Sequence, residues 1–447
     1  MGQPQPATDY LGLHKALTGV FDCRPWRCYG KVARLVGTLI EAEGVKAALG
    51  DLCTLHSDDK TRTLYAEVVG FQDRRLKLSP LSDISGVRAG DLVEFHSRGD
   101  AVQIGQGLLG RVIDAMGRPI DGKGPIPPGQ PRSLVGTVAN PLERVPIRSQ
   151  LDVGVRAING LLPIGRGQRM GIFAGSGVGK STLLGMMARY TSAAVNVIAL
   201  IGERGREVVE FIDNDLGDQG LSRSVVVVAT SDQPATLRMR GAFLATTIAE
   251  YFRDLGFDVL LMMDSITRFA MAGREVGLAA GEPPTTKGYT PSVFSKIPRL
   301  LERAGSFPNA AITGIYTVLV EGNDMEDPIA DTMRSILDGH LVLDRGLAQR
   351  RHYPPIDVLH SISRLTDQLF DNEQKRLAAR FVGILSRYKR HEDMIQIGAY
   401  VRGSNPEIDY AIDMVGKLNG YLTQAVQENA SVAACREAME KLLDSRE

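Results

Sequence analysis

A run of small residues in the middle of the chain ends in a lysine followed by a serine. The sequence over residues 171–184 is GIFAGSGVGKSTLL, with apolar residues on both sides of the glycines. A buried strand, a glycine-rich loop and a helix N-terminus in this order bind anions, because unobstructed backbone N–H groups and the positive end of the helix face the same space. We expect Lys180 to reach the β- and γ-phosphates of a nucleotide and the Ser181 hydroxyl to bind Mg²⁺.

The strict phosphate-loop pattern has glycine where this chain has Ala174, which is a small change in side-chain size. The alternative, a glycine-rich turn that ends in Lys-Ser by chance, leaves the flanking strand and helix patterns unexplained. The residues expected around the phosphates are contiguous: Gly175, Ser176, Gly177, Val178, Gly179, Lys180, Ser181 and Thr182.

Two carboxylates stand where further buried strands should end. Glu203 and Arg204 follow the apolar run 197–201, and Asp264 closes the apolar run 259–263. Hydrolysis of a γ-phosphate needs a carboxylate that positions the attacking water and cations that offset the charge on the phosphate oxygens, which suits Glu203 and Arg204. Asp264 fits the Walker B pattern, in which it holds Mg²⁺ directly or through water. The alternatives are an exposed turn with a surface ion pair in the first case and a helix N-cap in the second.

Two further arginines are candidates for the same site. Arg268 follows Asp264 by about one helical turn and would face the same space. Arg364 ends a polar loop that begins with Tyr353 and two prolines. An arginine finger is worth about 10³–10⁵ in rate, but a loop arginine taken alone is more often a solvated surface cation.

The composition places these motifs in a multidomain protein. A chain of 447 residues is too long for one compact core, so we expect two or three domains. Its 52 Lys and Arg balance 52 Asp and Glu, which argues against a protein whose main task is gripping nucleic acid. The four cysteines have no zinc or disulfide spacing, the N-terminus has no secretory signal, and no apolar run is long enough to span a bilayer. We therefore expect a cytoplasmic protein with at most peripheral membrane contact.

The periodicity of the chain divides it into four parts. Residues 1–28 have apolar spacing compatible with a short amphipathic docking helix. Residues 29–104 carry short β-type runs that suggest a small closed barrel. Residues 105–365 form the nucleotide-binding domain, of which 105–150 is a linker region rich in glycine and proline, and residues 366–447 form a helical domain. The predicted barrel strands are Val32–Ile40, Asp51–His56, Thr63–Phe71, Arg74–Leu78, Leu92–His96 and Ala101–Ile104.

Strand-like and helical runs alternate in the central part, which predicts an α/β fold with a mainly parallel sheet covered on both faces. Ligands of such sheets bind at the carboxyl ends of the strands. The predicted strands after the phosphate loop are Val195–Gly202, Ser224–Thr230, Asp258–Asp264, Ala311–Val320 and His340–Leu343. The predicted helices between them include Arg206–Asp215, Pro234–Leu255 and Asp327–Asp338, and those of the tail are Gln374–Lys389, Glu407–Leu422 and Ser431–Leu443.

Four stretches in this order, GIFAGSGVGKSTLL, IGERGREV, LLMMDSITRFA and YPPIDVLHSIS, resemble the catalytic subunits of the F-type ATP synthase superfamily. Within it, residues 143–169, 281–305 and 316–345 are similar to the type III protein export ATPases. The resemblance covers almost the whole chain after about Tyr29. The stretch IGAYVRGSNPEIDYAI resembles the flagellar branch more than the branch that serves virulence injectisomes.

The resemblance implies a RecA-like ATPase domain and a homohexameric ring with ATP held at subunit interfaces. It implies that Lys180 and Ser181 bind phosphate and Mg²⁺, that Glu203 is the catalytic carboxylate and that Asp264 is the Walker B acid. It further implies that Arg204 and Arg268 lie near the γ-phosphate, that Arg364 is a finger supplied by the neighbouring subunit, and that Tyr353 stacks on adenine.

The implied partners are a dimeric regulatory subunit at residues 1–28, a coiled-coil stalk protein in a channel faced by the loop of residues 283–298, membrane proteins of the export gate, and export substrates with their chaperones. The function implied is ATP hydrolysis that energises flagellar protein export from the cytoplasmic face of the inner membrane. The alternatives are an injectisome ATPase, a rotary ATP synthase subunit, a hexameric nucleic-acid translocase and a non-catalytic nucleotide-binding subunit. The export-type stretch 281–305 argues against the rotary subunit, the balanced charge against the translocase, and Glu203 beside Lys180 against the non-catalytic subunit.

Overall fold

The computed structural model describes residues 29–56, 63–136, 140–320 and 327–444, in two compact units that meet in sequence between Gly99 and Asp100. The predicted docking segment, residues 1–28, lies outside the described residues. Across the described ranges, no helix is both long and apolar enough to cross a membrane.

The first unit is a closed antiparallel barrel of six strands in the order β1-β2-β5-β4-β3-β6. Side chains that alternate inward along the strands fill its interior, among them Ile40, Cys53, Leu78 and Val93. The barrel predicted from the short runs is therefore confirmed. Its strands are β1 (Tyr29–Val36), β2 (Leu39–Glu43), β3 (Leu52–His56), β4 (Thr63–Gln72), β5 (Arg75–Pro80) and β6 (Leu92–Ser97).

Two predicted barrel strands differ from the structure. The run Val32–Ile40 is a hairpin rather than one strand, because the chain reverses at Gly37, whose φ of +60° favours glycine. The run Ala101–Ile104 is not a barrel strand but β7 of the second unit, where it pairs with β9 (Gln130–Ser133) in a two-stranded antiparallel sheet.

The second unit is built on a nine-stranded sheet with the order β19-β18-β12-β17-β15-β13-β14-β8, and β16 pairs with β17 beside this path. All pairings are parallel except those of β16 and β19. The mainly parallel sheet predicted from the alternating pattern is confirmed. The strands are β8 (Arg111–Asp114), β12 (Arg169–Ala174), β13 (Val195–Ile201), β14 (Ser224–Ala229), β15 (Val259–Asp264), β16 (Gly305–Ser306), β17 (Ala311–Leu319), β18 (Gly339–Leu343) and β19 (Ile362–Ser363), and a separate pair is β10 (Gln150–Leu151) and β11 (Ile164–Gly165).

The outermost strand on one side of this sheet was not predicted from the sequence. Strand β8 lies in the region predicted as a linker, yet it pairs in parallel with β14 from Arg111 to Asp114. Its first two residues are held by Asp121, whose carboxylate accepts hydrogen bonds from the Arg111 guanidinium and the Val112 N–H. The glycine and proline density of residues 117–131 belongs to the turns after this strand.

Helices connect the strands and complete the α/β fold class that the sequence predicts. They are α1 (Arg156–Leu161), α2 (Lys180–Tyr190), α3 (Gly205–Glu210), α4 (Gly217–Ser222), α5 (Ala235–Asp254), α6 (Ile266–Ala280), α7 (Pro291–Leu301), α8 (Pro328–Ile336), α9 (Arg345–Gln349) and α10 (Thr366–Leu369). A π-helical turn, Phe211–Leu216, joins α3 to α4. The stretch 283–298 is not one loop: it contains a 3-10 turn, Thr286–Gly288, and the first part of α7.

The end of the chain is helical, as predicted, with α11 (Asn372–Gln396), α12 (Pro406–Leu422) and α13 (Val432–Asp444). Asp371 begins α11 with a capping box, since its carboxylate accepts from Gln374 N–H while the Gln374 side chain accepts from Asp371 N–H. Buried Phe381 and Tyr421 pack together at a centroid distance of 5.3 Å. The three helices share one apolar core with α1 and the central sheet.

Candidate active site

The phosphate loop joins the carboxyl end of β12 to the first turn of α2. Gly177 and Gly179 have φ values of +75° and +88°, which side chains with a Cβ rarely adopt. Gly179 is the residue before the helix, and Lys180 and Ser181 are its first two residues. The loop therefore presents Lys180 and Ser181 where unpaired N–H groups and the helix dipole favour an anion.

Three of the predicted residues meet at the carboxyl ends of β12, β13 and β15. The Lys180 ammonium forms an ion pair with Asp264 Oδ1 and lies 3.5 Å from Glu203 Oε1. The exposed fractions of the three side chains are 12% for Lys180, 14% for Glu203 and 4% for Asp264. The carboxyl ends of these three strands, with β17 between β12 and β15, thus bring one cation and two carboxylates into a single buried cluster.

Burial and the second carboxylate set the protonation of this cluster. Burial and then the negative charge of Asp264 raise the pKa of Glu203 to about 7, and Lys180 opposes this only in part. Burial works against the charged form of Lys180, but the charges of Asp264 and Glu203 outweigh it and raise the pKa of this ammonium. Glu203 Oε1 is buried without a hydrogen-bond donor among the described residues. The cluster therefore holds a carboxylate oxygen that a bound water could satisfy.

The two arginines next to this cluster differ in placement. The side chain of Arg268 packs over Gly202, where an added Cβ would lie 2.8 Å from Arg268 Cβ, and the buried Arg268 Nε has no hydrogen-bond partner within the described part of the chain. Arg204 is 80% exposed, with its guanidinium 3.5 Å from Glu207 Oε1. Arg268 is thus held beside the strand end that leads to Glu203, whereas Arg204 points to solvent.

Tyr353 and Thr182 flank the phosphate loop. A Cβ built on Gly179 would lie 3.7 Å from Tyr353 Cε1, so this ring stands beside the loop with 45% of the residue exposed. Its position is fixed from the helical end of the chain, because Tyr353 O accepts a hydrogen bond from Gln424 N–H at 2.8 Å. Thr182 makes a side-chain hydrogen bond with Asp215, which lowers the pKa of that carboxyl although burial raises it overall.

Arg364 lies near the amino ends of β12 and β18, opposite the phosphate loop. Ser363 pairs with Gly339, the first residue of β18, and Arg364 N–H donates to Asp338 O at 3.0 Å. Since β12 runs six residues from that level to the phosphate loop, roughly 20 Å separates the two edges at about 3.3 Å per residue. Within one chain, the structure does not bring Arg364 to Lys180.

Two residues that touch the site belong to no motif in the sequence. Thr317 on β17 donates a hydrogen bond to Asp264 Oδ1 at 2.7 Å, and an Arg345 Nη donates to Ser176 O at 3.3 Å. A threonine in a buried strand indicates only β-propensity. The single available signal for Arg345 was its place after β18, which ends at the same edge of the sheet as β12.

The oxygen ligands present suit magnesium. Ser181 and Asp264 offer a hydroxyl and a carboxylate, and Mg²⁺ is commonly held by one or two protein oxygens together with substrate phosphates and water. In the residues the structure describes, no group of three or more His, Cys, Asp or Glu is arranged to hold a metal ion by itself. Ser181 and Asp264 could therefore hold a magnesium ion together with a bound nucleotide.

Three protein-family models match the chain. The model of the ATP synthase alpha/beta family nucleotide-binding domain matches residues 154–363, that of the family's beta-barrel domain matches 32–96, and that of the T3SS EscN ATPase C-terminal domain matches 370–441. The "Flagellum-specific ATP synthase" of Bacillus subtilis is 52% identical over 424 residues, which are 94% of this chain and 97% of the relative.

Solved structures give the same result. The assembled ATPase EscN from the type III secretion system of enteropathogenic E. coli is 46% identical, with a TM-score of 0.87 over 93% of this chain and all of the other. The same ATPase in complex with its central stalk EscO has a TM-score of 0.85, 45% identity and the same coverage. The chain therefore belongs to the ATP synthase alpha/beta family and, within it, to the flagellum-specific and type 3 secretion system ATPases.

Proposed function

We propose that this chain hydrolyses ATP with Mg²⁺ at the interfaces of a homohexameric ring and thereby energises type III export of flagellar proteins. The proposal rests on the observation that the predicted catalytic residues of one chain lie in two separate places. Lys180, Glu203 and Asp264 meet at one edge of the sheet, while Arg364 stands at the opposite edge. A neighbouring copy that presents its Arg364 would complete the cluster.

Each residue has a role that its surroundings suit. Lys180 exchanges its carboxylate partners for the β- and γ-phosphates. Glu203, whose Oε1 makes no hydrogen bond within the described residues, orients the attacking water and takes up its proton. Arg268 offers its free Nε to the phosphates. Arg364 from the neighbour balances the charge that develops on the transferred phosphoryl group.

The remaining predicted residues complete the binding site. The loop N–H groups of residues 175–182 surround the phosphates, and the Tyr353 ring beside Gly179 stacks on adenine. Mg²⁺ would be held by Ser181 and Asp264, where it offsets negative charge on the phosphate oxygens. Arg204 reaches the γ-phosphate only if its exposed side chain turns inward.

The assembled form of EscN supports a ring, and its complex with EscO supports a central stalk protein as a partner of this chain. The 52% identity to a flagellum-specific relative favours flagellar over injectisome export. We place the ring in the cytoplasm, in peripheral contact with the export gate in the inner membrane. The dimeric regulator would bind residues 1–28, and substrates with their chaperones would be delivered to the gate.

Purified protein tests the enzymatic part. We expect ATPase activity per milligram to rise with protein concentration, and light scattering to show larger assemblies when a non-hydrolysable ATP analogue is added. Lys180→Ala and Glu203→Gln should abolish turnover while circular dichroism shows an unchanged fold. Normal hydrolysis by either variant, or activity strictly proportional to the concentration of a monomer, would contradict the proposed site.

Cells test the export part separately. In a Bacillus subtilis strain that lacks its flagellum-specific relative, this chain should restore motility and flagellin secretion, and the Lys180→Ala variant should not. A chain that hydrolyses ATP in vitro but restores no secretion would leave the enzyme assignment intact and would overturn the export assignment for that system.

A further inference from the structure

Thr317 is a buried hydroxyl in contact with the Walker B carboxylate. It lies near the carboxyl end of β17, which pairs in parallel with β15, and it is completely buried. Its Oγ1 donates to Asp264 Oδ1 at 2.7 Å, with Met263 O as a weaker acceptor at 3.3 Å. A buried hydroxyl aimed at a carboxylate makes a short, charge-assisted hydrogen bond.

The two protein donors to Asp264 use the same oxygen. Lys180 and Thr317 both donate to Oδ1, and Oδ2 receives no hydrogen bond from the described residues. Lys180 is the residue expected to turn to the phosphates when a nucleotide binds. After that exchange, Thr317 is the donor that remains on Oδ1.

We propose that Thr317 is a positioning residue that holds Asp264 by Oδ1 and keeps Oδ2 available for Mg²⁺ throughout nucleotide binding. Without this hydrogen bond, the carboxylate rotates once Lys180 leaves, and the metal loses an oriented ligand. Groups that orient metal ligands typically change metal affinity by about 10–100-fold when they are removed. The inference rests on the proposed role of Asp264 as the Walker B acid.

The test uses the full chain and three variants. Thr317→Val removes the hydroxyl and keeps the β-branched shape, whereas Thr317→Ser keeps the hydroxyl and removes the methyl group. Thr313→Val is the matched control, because Thr313 is a buried threonine on the same strand whose hydroxyl accepts from Gly167 N–H. Equilibrium binding of a fluorescent ADP analogue is measured against free Mg²⁺, together with the thermal midpoint and the Mg²⁺ dependence of ATP hydrolysis.

We expect Thr317→Val to raise the free Mg²⁺ needed for half-maximal nucleotide binding by about tenfold or more, with affinity in EDTA unchanged. Thr317→Ser should stay within about twofold of the unmodified chain, and Thr313→Val should lower the thermal midpoint without changing the Mg²⁺ requirement. An unchanged Mg²⁺ requirement in Thr317→Val, or equal effects of the valine and serine variants, would overturn the role of Thr317.

The same titration separates this inference from the proposed function. If Mg²⁺ strengthens nucleotide binding to the unmodified chain and Asp264→Asn removes that effect, the metal role of Asp264 stands whatever Thr317→Val does. If Mg²⁺ has no effect on the unmodified chain, the metal role of Asp264 fails and the inference about Thr317 fails with it.

Discussion

At the scale of single residues, Glu203 shows how the charges of the site can destabilise the fold. One ammonium, Lys180, faces two carboxylates in a buried cluster, so the cluster carries excess negative charge whenever both are ionised. Burial, together with the charge of Asp264, raises the pKa of Glu203 to about 7. Residues placed for chemistry often destabilise the protein that carries them.

This gives a pH-dependent prediction for Glu203→Gln. Because the pKa of Glu203 is higher in the folded chain than its ordinary 4.5, Glu203 contributes stability that is fully present below about pH 4.5 and is lost as the pH rises through about 7. The difference corresponds to about 3 kcal/mol at most. Glutamine does not titrate, so the nucleotide-free variant should have a higher thermal midpoint than the unmodified chain at pH 8.5, and the gain should shrink towards pH 5.5.

The control for this measurement is Glu210→Gln, since Glu210 is an exposed residue that pairs with Arg206 outside the cluster. It should give the same small change at both pH values. A gain for Glu203→Gln that is independent of pH would mean that titration of this carboxylate is not its cause.

Three of the residues that meet in the cluster could be predicted from the sequence, and a fourth could not. Lys180, Glu203 and Asp264 could be predicted because each follows an apolar run, and the carboxyl ends of parallel strands meet at one edge. Thr317 could not be predicted, because its hydrogen bond to Asp264 depends on which strand lies beside β15. That order places β17, which is later in the chain, between β12 and β15.

At the scale of elements, buried polar side chains join parts of the second unit that no motif connects. Arg303, just after α7, has its side chain 1% exposed. It pairs with Glu250 on α5 and donates to Leu134 O and Thr247 Oγ1. Removing one partner of a buried ion pair leaves the other charge without compensation, which costs about 3–5 kcal/mol.

We therefore expect Arg303→Leu to lower the free energy of unfolding by about 3–5 kcal/mol, measured by urea denaturation. Arg132→Leu is the matched control, because Arg132, on β9, pairs with Asp254, the last residue of α5, and the two side chains are 35% and 34% exposed. This change should cost less than about 1 kcal/mol. Equal losses in the two variants would show that the buried network contributes no more than a surface pair.

The strands and helices that the sequence predicted correctly are those with long apolar runs, such as β13, β15 and α5. Strand β8 escaped prediction because four residues among glycines and prolines carry little signal, and its pairing with β14 is fixed by the distant contacts of Asp121. The turn at Gly37 escaped because apolar residues continue on both sides of it. For β8, the partner strand that decides the local structure lies far along the chain.

At the scale of the whole molecule, the proposed function assigns halves of two different sites to the two ends of the parallel strands. Strand β12 ends in the phosphate loop. At its start, Arg169 donates hydrogen bonds to the Asp338 carboxylate, and the backbone O of Asp338 accepts from Arg364 N–H. One copy therefore offers a nucleotide cluster at one edge and an arginine at the other. Such a head-to-tail arrangement closes into a ring when the rotation between copies allows it.

The role of Arg364 is testable by mixing two inactive variants before assembly. Lys180→Ala keeps the arginine but loses the phosphate ligand, and Arg364→Ala keeps the nucleotide cluster but loses the arginine. In a random equimolar ring, about one interface in four joins an intact cluster to an intact Arg364, so up to about a quarter of the unmodified ATPase activity should return. The control mixture of Lys180→Ala and Glu203→Gln stays inactive, because both changes damage the same side of the interface. Recovery in that control, or none in the first mixture, would contradict a site shared between neighbouring copies.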